Sequence, residues 1–214
     1  MEDLARALQP PSGAGARLVQ FVAADPGEGV STIARAFALK LAGAARKGVW
    51  LIELDLMRGG QYADLAADLE THGFLGKAAR ASPDGSCFFT VDPPTIGVDG
   101  QPWSAARYLS AYPVGGRRLW VTRFRQEALR PGQSASVSPD GAYWKALRAH
   151  ADVVVIDAPS LRRSRAALAV APWVDANVLV VSADRTDTTA PQILRTEIER
   201  AGGCLLYTSP SPRD

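Results

Sequence analysis

A glycine-rich segment at residues 24–32 follows an apolar, strand-like run and opens a helix-like one. Gly27 and Gly29 allow the backbone to turn its N–H groups inward, and a helix N-terminus attracts anions through its positive partial charge. Ser31 stands where a phosphate-binding loop of the form G-x-x-x-x-G-K-[ST] has the hydroxyl group that binds Mg²⁺. The residues that we expect to contact a bound nucleotide, ATP or ADP, are Pro26, Gly27, Glu28, Gly29, Val30, Ser31 and Thr32.

Two positions of this segment depart from that form, because Ala24 replaces the first glycine and Val30 replaces the lysine. The lysine normally neutralises charge between the β- and γ-phosphates and supports phosphoryl transfer. Loss of such a contact costs about 2–3 kcal/mol, so we expect weaker nucleotide binding and impaired chemistry. The alternative interpretation is a glycine-rich turn between a strand and a helix that binds no ligand.

Acidic residues stand at the ends of two other predicted strands. Glu53 and Asp55 follow one apolar run, and Asp157 follows the most strand-like run of the chain. The carboxyl ends of parallel strands face the crevice in which α/β sheets bind ligands, beside a phosphate-binding loop. We therefore predict Ser31, Asp157 and Asp55 as Mg²⁺ ligands. Asp55 and Glu53 are the candidate catalytic residues, with Asp55 suited to orient a nucleophile.

Apolar runs and helical periodicity divide the chain into alternating elements. We predict strands at residues 17–24, 49–54, 87–91, 118–124, 153–156 and 176–181. We predict helices at residues 31–45, 61–75, 142–149, 163–170 and 188–200. Strands and helices alternate at both ends of the chain, which predicts an α/β fold with a mostly parallel sheet and helices on both faces.

One domain at residues 17–203, preceded by an N-terminal extension at 1–16, accounts for this pattern. Residues 81–140 are rich in turn sequences between short apolar patches, which predicts a β-rich, irregular insertion. The last residues, 204–214, resemble the translation of a sequencing-library transposon adaptor. We expect that segment to be an artefact and the natural domain to continue past Gly203, so that the domain is truncated here.

Composition excludes several classes of protein. The 214 residues are 47% hydrophobic and 21% charged, which is typical of a globular domain with a core. The net charge of +2 gives no reason to expect a nucleic-acid partner. The chain contains no apolar run of about 18 residues, so we predict no transmembrane segment. Cys87 and Cys204 are too few for a disulfide framework, and no signal peptide is recognisable, so we expect a cytoplasmic protein.

Three segments together resemble a known family of ATPases. Residues 26–32, 53–58 and 154–159 are similar to the Walker A, A′ and B motifs of bacterial tyrosine kinases. Those kinases form the cytosolic ATPase part of exopolysaccharide and capsule assembly systems, and they are related to the MinD/ParA-type partition ATPases. The resemblance covers about Arg17–Arg58 and Asp152–Gly203. It departs from the family at Val30 and at Glu53, where the kinases usually have an aspartate.

The resemblance implies a P-loop NTPase-like fold, ATP or ADP with Mg²⁺, and a membrane polysaccharide copolymerase as partner. It also implies a homo-oligomer recruited by that partner to the inner face of the membrane. Three interpretations stay open. The first is a pseudo-ATPase that serves as a regulatory or scaffolding subunit, which Val30 favours. The second is an active kinase in which another basic residue, such as Arg58 or an arginine of a partner, replaces the lysine. The third is a MinD/ParA-type positioning or partition switch.

Overall fold

Helices cover both faces of a mostly parallel β-sheet in the structure, a computed structural model that describes residues 15–182 and 189–206. The described strands are β1 (Arg17–Val22), β2 (Val49–Glu53), β3 (Ala79–Arg80), β4 (Phe89–Asp92), β5 (Leu109–Pro113), β6 (Leu119–Phe124), β7 (Ser134–Val137), β8 (Val153–Asp157), β9 (Ala176–Leu179) and β10 (Leu205–Leu206). The described α-helices are α1 (Val30–Ala42), α2 (Gly60–Ala67), α3 (Leu69–His72), α4 (Ala142–Arg148), α5 (Ala166–Val170) and α6 (Thr189–Arg200). Short 3₁₀ helices lie at Ala105–Tyr108, Gln126–Ala128 and Ala171–Trp173.

The main sheet has eight strands in the order β10-β9-β1-β8-β2-β6-β5-β3. The first six strands of that order run parallel, and β5 and β3 run antiparallel to their neighbours. The central strand β8 is buried along its whole length, as expected for a strand covered on both faces. The predicted α/β fold with a mostly parallel sheet is therefore confirmed.

Two apolar cores, one on each face of the sheet, account for the alternation of side chains along β8. Val153 and Val155 pack into the core that contains Phe37 of α1 and Leu65 of α2. Their neighbours Val154 and Ile156 pack into the other core. That second core contains the helix residues Tyr143 and Trp144 of α4 and Leu194 and Ile198 of α6. Successive side chains of a strand point to opposite faces, so one run of valines serves both cores.

Residues 81–140 are β-rich, as the turn pattern predicts, and half of their strands complete the main sheet. Strand β6 lies parallel to β2, with Trp50 opposite Trp120 and the two rings stacked at 5.9 Å. Strand β5 pairs antiparallel with β6, whereas β4 and β7 form a separate two-stranded sheet. The segment therefore widens the main sheet as well as adding a small sheet beside it.

Several predicted element boundaries differ from the observed ones. The helix predicted at 61–75 is divided at Asp68, whose side chain accepts a hydrogen bond from the N–H group of Thr71 and so starts α3. The helix predicted at 163–170 begins only at Ala166, because residues 161–163 form a turn after β8. Most of the predicted extension at 1–16 and the predicted helix start at Thr188 lie outside the described residues.

The beginning of the adaptor-like segment pairs with the sheet. Leu205 and Leu206 form β10, parallel to β9, and the carbonyl oxygen of Cys204 accepts hydrogen bonds from the backbone and the side chain of Asn177. Two apolar residues that follow a helix and a glycine turn can extend a free sheet edge whatever their origin. The artificial origin of residues 204–214 therefore stays a prediction, and residues 207–214 lie outside the described part.

Tyr143→Phe is expected to lower the free energy of unfolding by about 1–2 kcal/mol. The fully buried Tyr143 hydroxyl group donates to the carbonyl oxygen of Ala81 over 3.0 Å, and the substitution leaves that oxygen without a partner. Urea denaturation measures the change. The matched control is Tyr62→Phe, since Tyr62 is only partly buried and contacts Tyr112 through its ring. Equal stability of the two variants would contradict the prediction.

Candidate functional site

The glycine-rich loop between β1 and α1 has the backbone conformation of an anion cradle. Gly27 has φ +86° and Gly29 has φ +85°, a left-handed conformation that glycine adopts without strain. Helix α1 begins at Val30, and no side chain caps its N-terminus. The first N–H groups of a helix have no intrahelical acceptor. Uncapped N–H groups and the positive end of the helix therefore face whatever lies in front of the loop.

A cavity of about 280 Å³ opens in front of this loop. Its wall consists of residues 25–32 of the loop, Glu53, Asp55, Arg58, Asp64, residues 157–160 and Arg163. The structure thus brings every predicted site residue, from Pro26 to Asp157, to one cavity at the carboxyl edge of β1, β2 and β8. The volume is just below the usual range for small-molecule sites, about 300–1,000 Å³.

Glu53 contributes to the cavity wall, and its carboxylate group contacts the N-terminus of α2. Its two carboxylate oxygens accept hydrogen bonds from the N–H groups of Gly60, over 3.0 Å, and Gln61, over 2.9 Å. Burial raises the pKa of Glu53 to about 7, the two N–H groups act in the opposite direction, and the negative charges of Asp157 and Asp55 raise it further. Both oxygens of this candidate catalytic residue are therefore occupied by backbone groups of α2.

Gln61 is a site residue that the sequence analysis did not identify. It is completely buried, and its side-chain N–H₂ group donates to Asp157 over 2.6 Å and to the carbonyl oxygen of Ser31 over 2.9 Å. Its side-chain oxygen accepts a hydrogen bond from Arg35 over 3.2 Å. Gln61 thus connects α2 to the end of β8 and to the first turn of α1. The available signal was its position as the first residue of a predicted helix after an acidic strand end.

Asp157, at the end of β8, and Ser31, in the first turn of α1, both line the cavity. Burial raises the pKa of Asp157, which is only 3% exposed, while hydrogen bonds from Gln61 and Ser31 act in the opposite direction. The described residues contain no group of three or more His, Cys, Asp or Glu side chains able to hold a metal by themselves. Mg²⁺ in nucleotide sites is held by one or two carboxylates and the phosphates, so this arrangement fits a metal that arrives with its ligand.

The positive charges around the cavity come from arginines. Arg163 contacts Asp55 at 3.1 Å, and Arg162 contacts Asp25 at 2.6 Å, while Arg58 also lines the cavity. Val30 occupies the usual lysine position, and its partly buried side chain packs against the core beneath α1. The loop itself therefore supplies no side-chain cation to an anionic ligand.

The chain thus folds as an α/β domain with a glycine-rich loop and a helix N-terminus at the carboxyl edge of a mostly parallel sheet. No family model and no curated protein matches the sequence. Solved structures are similar to it. The kinase domain of VpsO is 19% identical with a TM-score of 0.55, and the match covers 89% of this chain and 81% of that one.

Two further structures share the fold. The chimerical protein CapA2B2 is 15% identical with a TM-score of 0.52, over 94% of this chain and 79% of that one. A nucleotide-binding protein from Archaeoglobus fulgidus in complex with ADP is 16% identical with a TM-score of 0.50, over 89% of this chain and 64% of that one. At these identities the similarity concerns the fold.

Among the described helices, none is long and apolar enough to cross a membrane.

Proposed function

We propose that this chain binds an adenine nucleotide, ATP or ADP, together with Mg²⁺, in the cavity in front of α1. The observation on which the proposal depends most is the uncapped N-terminus of α1, preceded by two left-handed glycines and opening into a cavity beside buried carboxylates. The similar folds of a kinase domain and of an ADP-bound nucleotide-binding protein support it. The ligand-free glycine-rich turn is the interpretation that the proposal replaces.

The residues of the cavity fit the phosphate and metal parts of such a ligand. Backbone N–H groups of residues 27–32 would hold the phosphates. Ser31, Asp157 and Asp55 would hold Mg²⁺. Bound Mg²⁺ supplies neutralisation of phosphate charge, which matters here because the cavity wall carries several carboxylates. Glu53, in contact with α2, would act by positioning Gln61 against Asp157.

The finer part of the proposal concerns the role of the protein. We propose a catalytically impaired, regulatory or scaffolding subunit of exopolysaccharide or capsule assembly. In the cytoplasm it would act with a membrane copolymerase that recruits it to the membrane. The sequence resemblance to bacterial tyrosine kinases supports a role in polysaccharide assembly. Val30 in place of lysine supports impaired catalysis. An active kinase and a partition-type switch are the competing roles.

Mg-ATP and Mg-ADP at millimolar concentration are expected to raise the melting temperature of the protein. A ligand present at about 100 times its Kd stabilises the folded state by about 2.7 kcal/mol. Ser31→Ala is expected to reduce the effect of Mg²⁺ on this shift while leaving the melting temperature of the free protein nearly unchanged. Thermal unfolding monitored by circular dichroism, with and without Mg²⁺, measures both.

Thr196→Ala is the matched control for Ser31→Ala, since it also removes a hydroxyl group but lies on α6, far along the chain from the loop. Absence of any shift with either nucleotide would refute nucleotide binding.

Hydrolysis of bound ATP at a normal rate would refute the impaired role and favour the kinase. Nucleotide-dependent dimerisation on membranes or DNA would favour the partition-type switch.

A further inference from the structure

The turn at residues 160–163, directly after β8, is bonded to the beginning of the glycine-rich loop. The N–H group of Leu161 donates to the carbonyl oxygen of Ala23 over 3.0 Å. The N–H group of Arg162 donates to the carbonyl oxygen of Ala24 over 3.3 Å. These backbone contacts hold the turn against the loop, so its side chains have a defined position at the cavity.

The consecutive arginines of this turn pair with acidic residues at different places. Arg162 contacts Asp25 at 2.6 Å and does not line the cavity. Arg163 contacts Asp55 at 3.1 Å and does line the cavity. The Arg163 side chain is 47% exposed, so it can exchange one anionic partner for another at small cost.

Ser160 provides an independent sign that the turn faces a ligand. It lines the same cavity and is only 6% exposed, and its hydroxyl group has no hydrogen-bond partner among the described residues. Buried hydroxyl groups almost always have a partner, because burying one without a hydrogen bond is costly. The unpartnered hydroxyl group of Ser160 is therefore a candidate hydrogen-bond partner for a ligand in this cavity.

The cavity needs a cation that the loop does not provide. Val30 lines the cavity without contributing a charge, and Asp25, Glu28, Asp55 and Asp157 contribute carboxylate groups to the same wall. An anionic ligand placed there is repelled by these carboxylates unless a positive side chain turns to it. Arg163 is suited to this task, because its planar guanidinium group binds phosphate oxygens in a bidentate manner.

We propose that Arg163, together with the Ser160 hydroxyl group, supplies the phosphate contact that lysine provides in ordinary loops, and that Arg163 leaves Asp55 when a nucleotide binds. The inference rests on the proposed nucleotide binding and deepens it. Its consequence is that Asp55 becomes available to Mg²⁺ in the same step. Nucleotide binding and completion of the metal site are then coupled through a single ion pair.

The test is the Kd of Mg-ATP measured by isothermal titration calorimetry for Arg163→Gln, Arg163→Lys and Arg162→Gln. Arg163→Gln is expected to raise the Kd about tenfold or more, the usual effect of losing one charge-assisted hydrogen bond to phosphate. Arg163→Lys should restore part of the affinity. Arg162→Gln is the matched control, because it removes the same charge from the neighbouring position, and we expect a change of less than about threefold.

The double variant Val30→Lys/Arg163→Gln tests the substitution of one cation for the other. If both side chains serve the same phosphate, the loss caused by Arg163→Gln is smaller in the Val30→Lys background than in the natural sequence. A merely structural role for Arg163 gives the same loss in both backgrounds, together with a lower melting temperature of the free protein. That result would overturn the inference.

The outcomes separate this inference from the proposed function. If the natural chain binds Mg-ATP and Arg163→Gln weakens it no more than Arg162→Gln does, Arg163 is not the replacement cation, whereas nucleotide binding stands. If neither the natural chain nor Val30→Lys binds Mg-ATP, both the inference and the proposed function are refuted.

Discussion

Val30→Lys is expected to lower the Kd of Mg-ATP, but by less than the about 30- to 150-fold that corresponds to the 2–3 kcal/mol of one full charged contact to phosphate, because in our proposal Arg163 already supplies part of that contact. The loop already has its left-handed glycines and an uncapped helix behind them. What it lacks is a side-chain cation, since Val30 packs against the core beneath α1. Lysine at this position can keep its carbon chain on the same apolar surface and extend its ammonium group towards the cavity.

Val30→Met is the matched control for Val30→Lys, because it lengthens the side chain without adding charge. Calorimetric titration with Mg-ATP compares the two variants with the natural chain. A gain shared by both variants would mean that packing, and not charge, limits binding. ATP turnover separates two further results. Tighter binding with new hydrolysis indicates an otherwise intact site, whereas tighter binding without hydrolysis indicates that the loss of function extends beyond residue 30.

Local patterns predicted most elements of this fold. The apolar run Val153–Ile156 and the helical spacing after Ser31 are properties of short windows, and the strand and the helix that they predict are found in the structure. The order of strands is not such a property. Strand β6 lies beside β2 although about 70 residues separate them along the chain, so residues 81–140 could be recognised as β-rich but not placed.

Because short windows of sequence do not determine which strands become neighbours, one part of the site was predictable and another part was not. The loop and the strand-end carboxylates follow a known spacing, and the structure brings them to one cavity. Gln61 reaches Asp157 from 96 residues away, and Arg163 reaches Asp55 from another element. The position of Gln61 at the start of a predicted helix does not show that it contacts Asp157, and Arg163 has no local signal, because both roles depend on which strands become neighbours. The contacts of Glu53 with the backbone of α2 have no signal at the end of its strand either.

Between about pH 5 and about pH 8 the natural chain is expected to lose about 2–3 kcal/mol of folding stability through the ionisation of Glu53. Glu53→Gln is expected to abolish this loss. In the folded protein, burial raises the pKa of Glu53 from 4.5 to about 7. The folded state therefore binds more protons than the unfolded state in this window. The stability contributed by protonated Glu53 is complete below about pH 4.5 and is lost as the pH rises through about 7.

Urea denaturation at about pH 5 and about pH 8 gives the change in the free energy of unfolding for the natural chain and for Glu53→Gln. The difference between these two changes is the contribution of Glu53. Glutamine stays neutral, so the free energy of unfolding of Glu53→Gln should change less between the two pH values than that of the natural chain. Glu70→Gln, on the exposed surface of α3, is the matched control and should follow the natural chain. If Glu53→Gln also follows the natural chain, the carboxyl group titrates alike in both states. Its contacts with Gly60 and Gln61 would then compensate fully for its burial.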